Sequence, residues 1–342
     1  MKIFLYSDLH ISRTSSIMPI DIDNSKYTFR QQMIINLGKY MSNIIREEKP
    51  DLIVNCGDTF DQHVITSYDV DVASEFFKCF QEFNIEHYVL VGNHEMVNQN
   101  FNAVALLNNI QGIKVIDEPC TINELAFLPY CNYQEILEFP KGRYLFSHQD
   151  IQGSVIRGDF ILPEGISPDI LRNNYKLVFN GHIHKSSISG NVINLGSIST
   201  HSFSDDGEAV PQCYIFDTET LDLKTFRPYI CPLFRKFEIK YDITELKSFV
   251  ENLDPNYKYI LHIICPFDIK EQVKTYLDSN SLILNNRLNT KIEKDKNNED
   301  SKEEIINLQS NIDIVQSFKE FLNTLDLKYP KNNYIEVLEG VK

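Results

Sequence analysis

Five short apolar runs in this sequence end in the same way, each followed by Asp, His or Asn side chains. The run at residues 87–91 (HYVLV) precedes Gly92-Asn93-His94-Glu95, and four other runs repeat the pattern. These are residues 2–7 before Asp8-Leu9-His10, 52–55 before Cys56-Gly57-Asp58, 144–147 before His148, and 177–180 before Gly181-His182-Ile183-His184. Short apolar runs without helical spacing predict buried strands. Because the carboxyl ends of parallel strands meet at one edge of a sheet, we expect these polar side chains to converge on one site.

The candidate ligands at these positions form a mixed set of nitrogen and oxygen donors: Asp8, His10, Asp58, Asn93, His148, His182 and His184. Imidazole and oxygen donors without a thiolate suit Mn²⁺ or Fe²⁺, and Zn²⁺ is an alternative. The set is large enough for two metal ions that share a carboxylate, and Asp58 is the best candidate for the shared ligand. His94 stands next to a candidate ligand, where it can donate a proton. The alternative for His94 is a structural histidine of the turn.

Three further side chains each have two interpretations. Asp61 either orients a ligand histidine or caps the helix that follows it. Arg13, in the polar loop after His10, either meets a phosphate or is solvated. His201, in the polar loop at residues 199–208, either contacts substrate or lies on the surface.

The alternation of strands and helices predicts a layered α/β domain. Apolar residues with three-to-four spacing predict helices at residues 29–47, 67–82 and 102–109. We expect residues 212–217 and 223–228 to finish the β region as a second sheet packed on the first. Residues 149–163 form a long insertion after His148 that is expected to cover part of the cleft.

A change of composition near residue 231 predicts a domain boundary. Residues 1–230 would form the main domain, and residues 231–290 a small unit that alternates strand, helix, strand and helix. The charge run at residues 291–304 (KIEKDKNNEDSKEE) is typical of an exposed linker. Residues 305–342 carry an amphipathic helix that either packs on its own domain or docks a partner.

The 342 residues carry a net charge of −15. Non-specific nucleic-acid binders normally have a basic face, so the charge argues against DNA binding by this chain alone. It does not exclude DNA cleavage, because bound divalent metals add local positive charge. The seven cysteines lack paired or metal-binding spacing, which indicates reduced thiols. With no apolar run approaching the roughly 18–20 residues of a membrane span and no signal peptide before the first strand, we predict a cytoplasmic protein that does not bind membranes.

The ordered motifs resemble those of the calcineurin-like metallophosphoesterases. Asp8-x-His10, Gly57-Asp58, the GNHE turn, His148 and Gly181-His182-x-His184 follow one another in the family's order. Within that superfamily the chain is similar to the SbcD-type nucleases of double-strand-break repair. The similarity lies in GDTFD at residues 57–61, FSHQDI at 146–151 and the loop GSISTHSFSDDGE at 196–208. The last two motifs look most like those of viral and phage members.

The resemblance implies a four-layer α/β/β/α fold with a small C-terminal α+β capping domain and a tail helix. It implies one metal site formed by Asp8, His10, Asp58 and His184, and a second formed by Asp58, Asn93, His148 and His182. Mn²⁺ is the expected metal, and two such ions about 3.5–4 Å apart can clamp a phosphodiester and activate water. His94 would protonate the leaving oxygen or stabilise the negative charge of the transition state.

The same resemblance implies partners and an activity. The chain would be an exonuclease on double-stranded ends and an endonuclease on single strands, acting on DNA with an SbcC-type ATPase bound by the tail helix. It would form homodimers through helices of the main domain, and it would act in the host cytoplasm if it is viral. The first alternative is a phosphatase or small-molecule phosphodiesterase with the same site. The second is a scaffold subunit with vestigial metals.

Overall fold

The computed structural model describes residues 1–12, 26–98, 101–136, 138–157, 160–200, 202–203 and 209–290. Arg13, His201, the linker at 291–304 and the tail at 305–342 lie outside these residues, so what we expect of them stays a prediction. The described residues form five α-helices: α1 (Phe29–Glu48), α2 (Ser67–Gln81), α3 (Pro168–Asn174), α4 (Ile243–Glu251) and α5 (Lys270–Ser279). None of these helices is long and apolar enough to cross a membrane.

The strands of the described residues are short, and most belong to two large sheets. In chain order they are β1 (Lys2–Tyr6), β2 (Leu52–Asn55), β3 (His87–Leu90), β4 (Met96–Asn98), β5 (Phe101–Asn102), β6 (Ile113–Ile116), β7 (Cys120–Ile122), β8 (Leu125–Leu128), β9 (Tyr144–Ser147), β10 (Val155–Arg157), β11 (Phe160–Ile161), β12 (Leu177–Asn180), β13 (Ser187–Ser189), β14 (Val192–Asn194), β15 (Cys213–Asp217), β16 (Leu223–Phe226), β17 (Leu233–Glu238), β18 (Tyr259–Cys265) and β19 (Ile283–Thr290).

The five motif-bearing strands lie in two sheets, which corrects the expectation of a single one. The first sheet has the order β16-β15-β1-β2-β3-β6, and the second has the order β13-β14-β12-β9-β8-β7. The strands β1, β2 and β3 are therefore separated from β9 and β12. The expectation for residues 212–228 was also wrong, because β15 pairs antiparallel with β1 and extends the first sheet. Apolar runs identify buried strands, but the choice of partner depends on contacts that are distant in sequence.

The two sheets pack face to face through a core of aromatic side chains. Tyr88 of the first sheet contacts Phe127 of the second, with ring centroids 5.3 Å apart. The ring centroids of Phe179 and Phe216 are 4.7 Å apart. Helices α1 and α2 cover the outer face of the first sheet, and α3 covers the outer face of the second. The predicted α/β class is confirmed, and the layers follow the order α/β/β/α.

The first two helices begin and end close to the predicted residues. Thr28 and Gln31 form a reciprocal capping box at the start of α1, and Thr66 and Asp69 form another at the start of α2. The third predicted helix is different, because Ala103–Asn109 forms 3₁₀ turns rather than an α-helix. 3₁₀ turns are frequent as connectors between longer elements.

A separate three-stranded parallel sheet, in the order β17-β18-β19, follows the two large sheets in the chain. Helices α4 and α5 pack on it through an apolar core that includes Leu246, Val250, Val273 and Leu277. The sequence predicted the first two strands and both helices but not β19. Its residues (ILNNRLNT) include five polar side chains, with Asn at three positions, and Asn disfavours strands. The domain boundary near residue 231 stays a prediction.

His87, at the start of β3, is a buried histidine held in an uncharged form. Its Nε2 lies 3.0 Å from the hydroxyl of Tyr6, and its ring packs edge-on against Phe77 and Phe80. Burial lowers the pKa of His87 to about 3. Below pH 6.5, His87 therefore binds a proton in the unfolded chain but stays neutral in the folded chain. The free energy of unfolding consequently decreases as the pH falls from about 6.5 towards 3.

We expect a His87→Gln variant, which cannot ionise, to be less sensitive to acid than the natural protein. Between pH 7.5 and pH 5, the natural protein should lose about 2 kcal/mol more of its free energy of unfolding than the variant does. Urea denaturation at both pH values measures the difference. The exposed His63→Gln serves as the matched control. An equal loss in natural protein and variant would show that His87 is not the acid-sensitive group.

Candidate metal centre

Within each sheet, the loops that follow the motif strands are hydrogen-bonded to one another. The amide of Asp8 donates to the carbonyl of Gly57, and the amide of His10 donates to the carbonyl of Asp58, each over 3.0 Å. In the second sheet, the amide of Gly181 donates to the carbonyl of Ser147 over 2.9 Å. These bonds bring together side chains that leave from different strands.

Four of the predicted ligands have left-handed backbone conformations, with φ values of 56° at Asp8, 48° at His10, 51° at Asp58 and 67° at His182. Residues other than glycine pay an energetic cost for such angles, and strained positions of this kind gather at functional sites. The turn geometry is what aims these side chains at a common point.

The first group of predicted ligands contains Asp8, His10 and His184. The Nε2 atoms of His10 and His184 are 3.1 Å apart. Asp8 Oδ1 lies 3.7 Å from His184 Nε2 and 3.9 Å from His10 Nε2. One atom of each side chain lies within 4.8 Å of the others, close enough for a single metal ion.

The second group contains Asp58, Asn93, His148 and His182. Asn93 Oδ1 lies 3.1 Å from His148 Nε2 and 2.9 Å from His182 Nδ1. Asp58 Oδ2 lies 3.2 Å from His148 Nε2. One ligand atom each of Asp58, His148 and His182 also lies within 4.8 Å of the other two, close enough for one ion.

Asp58 connects the two groups. Besides its contact with His148, its Oδ2 lies 3.8 Å from His10 Nε2 in the first group. Although burial alone would raise the pKa of this carboxyl group, the charges of His148, His10 and His94 hold it well below its usual range. The close packing requires a glycine at position 92, where an added Cβ would lie 2.1 Å from Asp58 Oδ1. The predicted bridging position is thus occupied by a carboxylate that stays ionised.

The arrangement fits two cations. Both carboxylate oxygens of Asp8 are buried without a hydrogen-bond partner among the described residues, and such groups are costly unless an ion or donor satisfies them. In the second group, burial opposes protonation of His148, but the carboxylate of Asp58 raises its pKa to about 9. A metal ion would replace that proton at Nε2. All seven predicted ligands offer nitrogen or oxygen, a donor set that Mn²⁺, Fe²⁺ and Zn²⁺ each accept.

The nitrogens that face away from the site have acceptors that orient the rings. His148 Nδ1 donates to the carbonyl of Cys56 over 2.6 Å, and His182 Nε2 donates to Asp150 Oδ1 over 2.9 Å. The carboxylate of Asp61 lies 3.5 Å from His10 Nδ1. Since Thr66 is the residue that caps α2, the position of Asp61 agrees with the interpretation that it orients a histidine.

Asp150 gives a prediction for the second group alone. We expect Asp150→Asn to lower the affinity of that group for metal about 10- to 100-fold, because His182 loses the carboxylate that fixes its tautomer and orientation. Titration calorimetry with Mn²⁺ should then show one weakened and one unchanged binding step. Asp169→Asn, an exposed carboxylate on α3, is the control. Two equally weakened steps would contradict the assignment of His182 to one group.

His94 stands at the edge of both groups, half-buried. Its Nδ1 donates to the carbonyl of Asp61 over 2.8 Å, and its amide donates to Asp58 Oδ1 over 3.1 Å. Its ring centroid lies 4.8 Å from that of His10. The bond at Nδ1 leaves Nε2 as the nitrogen available to a substrate. One ring nitrogen of His94 also lies within 4.8 Å of ligand atoms of His10 and Asp58, close enough to share a metal ion. Its role as proton donor rather than ligand therefore stays a prediction.

Sequence reasoning missed several side chains that hold the site. Arg30 of α1, only 1% exposed, donates to the carbonyls of Leu9, His10 and Thr200 and to Ser199 Oγ. Glu95 accepts from the amides of Gly92 and Phe60, and burial together with the charge of Asp58 raises its pKa to about 8. The side-chain amide of Asn180 donates to the carbonyls of Gln149 and Gly181. Glu95 belongs to the GNHE motif, which could have signalled it, whereas Arg30 has no motif.

With this fold and these ligand groups, the protein is a metal-dependent hydrolase of phosphoester bonds. The family model for calcineurin-like phosphoesterases matches residues 1–186, more than half of the chain. The chain therefore belongs to the calcineurin-like phosphoesterase family.

The solved structures that match this chain are distant from it in sequence. A novel archaeal phosphodiesterase is 16% identical with a TM-score of 0.35, over 67% of this chain and 100% of its own. The nuclease MPE of Pseudomonas putida is 13% identical with a TM-score of 0.29, over 62% and 83%. A dimetal phosphatase from Danio rerio is 13% identical with a TM-score of 0.37, over 63% and 91%. The comparison with curated proteins finds no match. Identities and TM-scores this low do not assign a substrate to the chain.

Proposed function

We propose that this chain is a two-metal DNA nuclease, with Mn²⁺ as the metal, that serves as the nuclease subunit of an SbcCD-type repair complex. The observation that carries the proposal is the pair of ligand groups joined by Asp58, with His94 beside both of them. The choice of DNA as substrate is supported by the SbcD-like motifs at residues 57–61, 146–151 and 196–208.

Each part of the site has a role in phosphodiester hydrolysis. When bound, two divalent ions supply positive charge for the phosphate oxygens and activate water. Asp58, the other ligands and Gly92 fix the spacing of the two positions. Because the Nδ1–H of His94 is engaged by the Asp61 carbonyl, only the imidazolium form carries a proton at Nε2, and that form would protonate the leaving oxygen. Water would form the new P–O bond on one side of phosphorus, the P–O bond to the leaving oxygen would break on the other side, and His94 would give that oxygen its proton.

A second candidate function is hydrolysis of small phosphodiesters or phosphomonoesters by the same site. The net charge of −15 favours it, because an acidic chain repels the DNA backbone unless a partner supplies basic contacts. In the DNA proposal, the ATPase subunit supplies those basic contacts to DNA.

Cleavage of end-labelled DNA distinguishes these functions. Double-stranded and single-stranded substrates are incubated with Mn²⁺ or Mg²⁺, beside a chromogenic phosphomonoester and an Asp58→Ala control. The nuclease proposal expects Mn²⁺-dependent DNA cleavage that the control lacks. Hydrolysis of the phosphomonoester with intact DNA would move the assignment to a phosphatase.

The proposed partner is an SbcC-type ATPase that binds the tail at residues 305–342, and we also propose a homodimer. We expect deletion of residues 305–342 to abolish co-purification with the ATPase while metal content is kept. Deletion of residues 291–304 alone is the control and should preserve association. Co-purification without the tail would contradict the proposal. None of the seven cysteines, all of which lie in the described part of the chain, forms a disulfide, which supports a cytoplasmic location.

A further inference from the structure

A cleft of about 640 Å³ opens beside the second ligand group. Its walls include the apolar side chains of Met96, Pro119, Tyr130 and Ile136 and the carboxylates of Asp117 and Glu118. Pockets of this size hold small organic groups.

Tyr130 connects the cleft to the metal centre. Its ring centroid lies 6.0 Å from that of His182 and 6.4 Å from that of His148. The amide of Tyr130 donates to the carbonyl of Val91 over 2.8 Å, which fixes it to the strand end before Gly92. On its other side, the Gln149 side chain donates to the carbonyl of Pro129 over 2.6 Å. Tyr130 is thus held between the loops that carry Asn93 and His148.

A second residue of the cleft wall, Met96, is also continuous with the site. Met96 follows directly after the 3₁₀ turn Asn93–Glu95, which carries one ligand and the proposed proton donor. A group bound in the cleft would therefore lie next to a phosphate held by the second ligand group.

The chemistry of the cleft does not suit a phosphate. No lysine or arginine is among the described residues that line it, and the carboxylates of Asp117 and Glu118 repel anions. Carboxylates instead accept hydrogen bonds from the ring N–H and amino groups of nucleobases. An aromatic side chain with apolar neighbours offers a surface on which a base can stack.

We propose that this cleft binds the nucleobase of a nucleotide adjoining the scissile phosphate, with the base stacked on Tyr130 and its polar edge facing Asp117 and Glu118. The proposal rests on the proposed nuclease function and names a subsite of it. The substrate is held by its phosphate at the metal centre and by its base in the cleft. Binding in the cleft positions the phosphate and takes no part in bond breaking.

The test uses a single-stranded oligonucleotide of twelve residues with one natural phosphodiester among phosphorothioate linkages. A second oligonucleotide has the same backbone but lacks the bases on both sides of that phosphodiester. The natural protein is expected to cleave the base-bearing substrate about tenfold faster, measured as kcat/KM. In Tyr130→Ala that preference should fall towards one, mainly through KM, whereas Tyr130→Phe should keep it. The control Tyr241→Ala removes a tyrosine that is 80% exposed and should also keep the preference.

The outcomes separate the two proposals. Cleavage of neither oligonucleotide by the natural protein, assayed at concentrations high enough that no partner is needed to hold the substrate, would overturn the nuclease function and this inference with it. Cleavage of both with no preference would overturn the inference alone. An unchanged preference in Tyr130→Ala would likewise overturn it, because the base would then be recognised elsewhere. The metal content of each variant, measured beside the kinetics, shows whether a loss arises from the ligand groups instead.

Discussion

Replacement of Asp58 by alanine should remove both metal ions and lower hydrolysis at least about 10³-fold. Asp58 approaches histidines of both groups, at 3.2 Å from His148 and 3.8 Å from His10. Without it, each group loses an anionic donor, and buried histidines are left to face one another. Metal analysis by mass spectrometry and phosphodiesterase assays on the same preparation measure the two effects.

The matched control for this variant is Asp222→Ala, which removes an exposed carboxylate. It should keep both metal equivalents and full activity. Retention of one complete metal equivalent by Asp58→Ala would contradict the bridging role. The remaining ion would then identify which group binds without Asp58.

Replacement of His94 by alanine should lower the rate of hydrolysis about 10²- to 10⁴-fold while leaving both metal ions bound. The reason is that His94 Nδ1 is engaged by the Asp61 carbonyl, which leaves Nε2, protonated in the imidazolium form, to donate a proton to the leaving oxygen. A substrate with a good leaving group, such as a nitrophenyl ester, needs little protonation. Its hydrolysis should be affected less than that of DNA.

The variant His63→Ala is the control, because His63 is exposed in the same part of the chain. Loss of a metal equivalent from His94→Ala would reassign His94 as a ligand, which its closeness to His10 and Asp58 allows. An equal loss of rate for both kinds of substrate would indicate a role in transition-state charge rather than proton transfer.

The sequence allowed the strand ends of the site to be predicted because each ligand follows a short apolar run. The bounds of β2, β9 and β12 agree with the predicted runs at 52–55, 144–147 and 177–180. The predicted ligands come together because both sheets present their carboxyl ends at one rim. That they act as metal ligands stays a prediction.

Other features could not be predicted because they depend on distant contacts. Sheet membership is one, since β15 pairs with β1 across most of the domain sequence. Arg30 looks like a solvated charge on a helix, and only the fold shows its carbonyl partners. Asp150 and Tyr130 lie in loops with no motif that marks them, and only the folded structure shows that both contact His182.

The most direct test of the two-metal account is anomalous diffraction from crystals of the full chain grown with Mn²⁺. The account predicts two peaks about 3.5–4 Å apart. One should lie among Asp8, His10 and His184, the other among Asn93, His148 and His182, and both should touch Asp58. A single peak, or two peaks with no contact to Asp58, would contradict it.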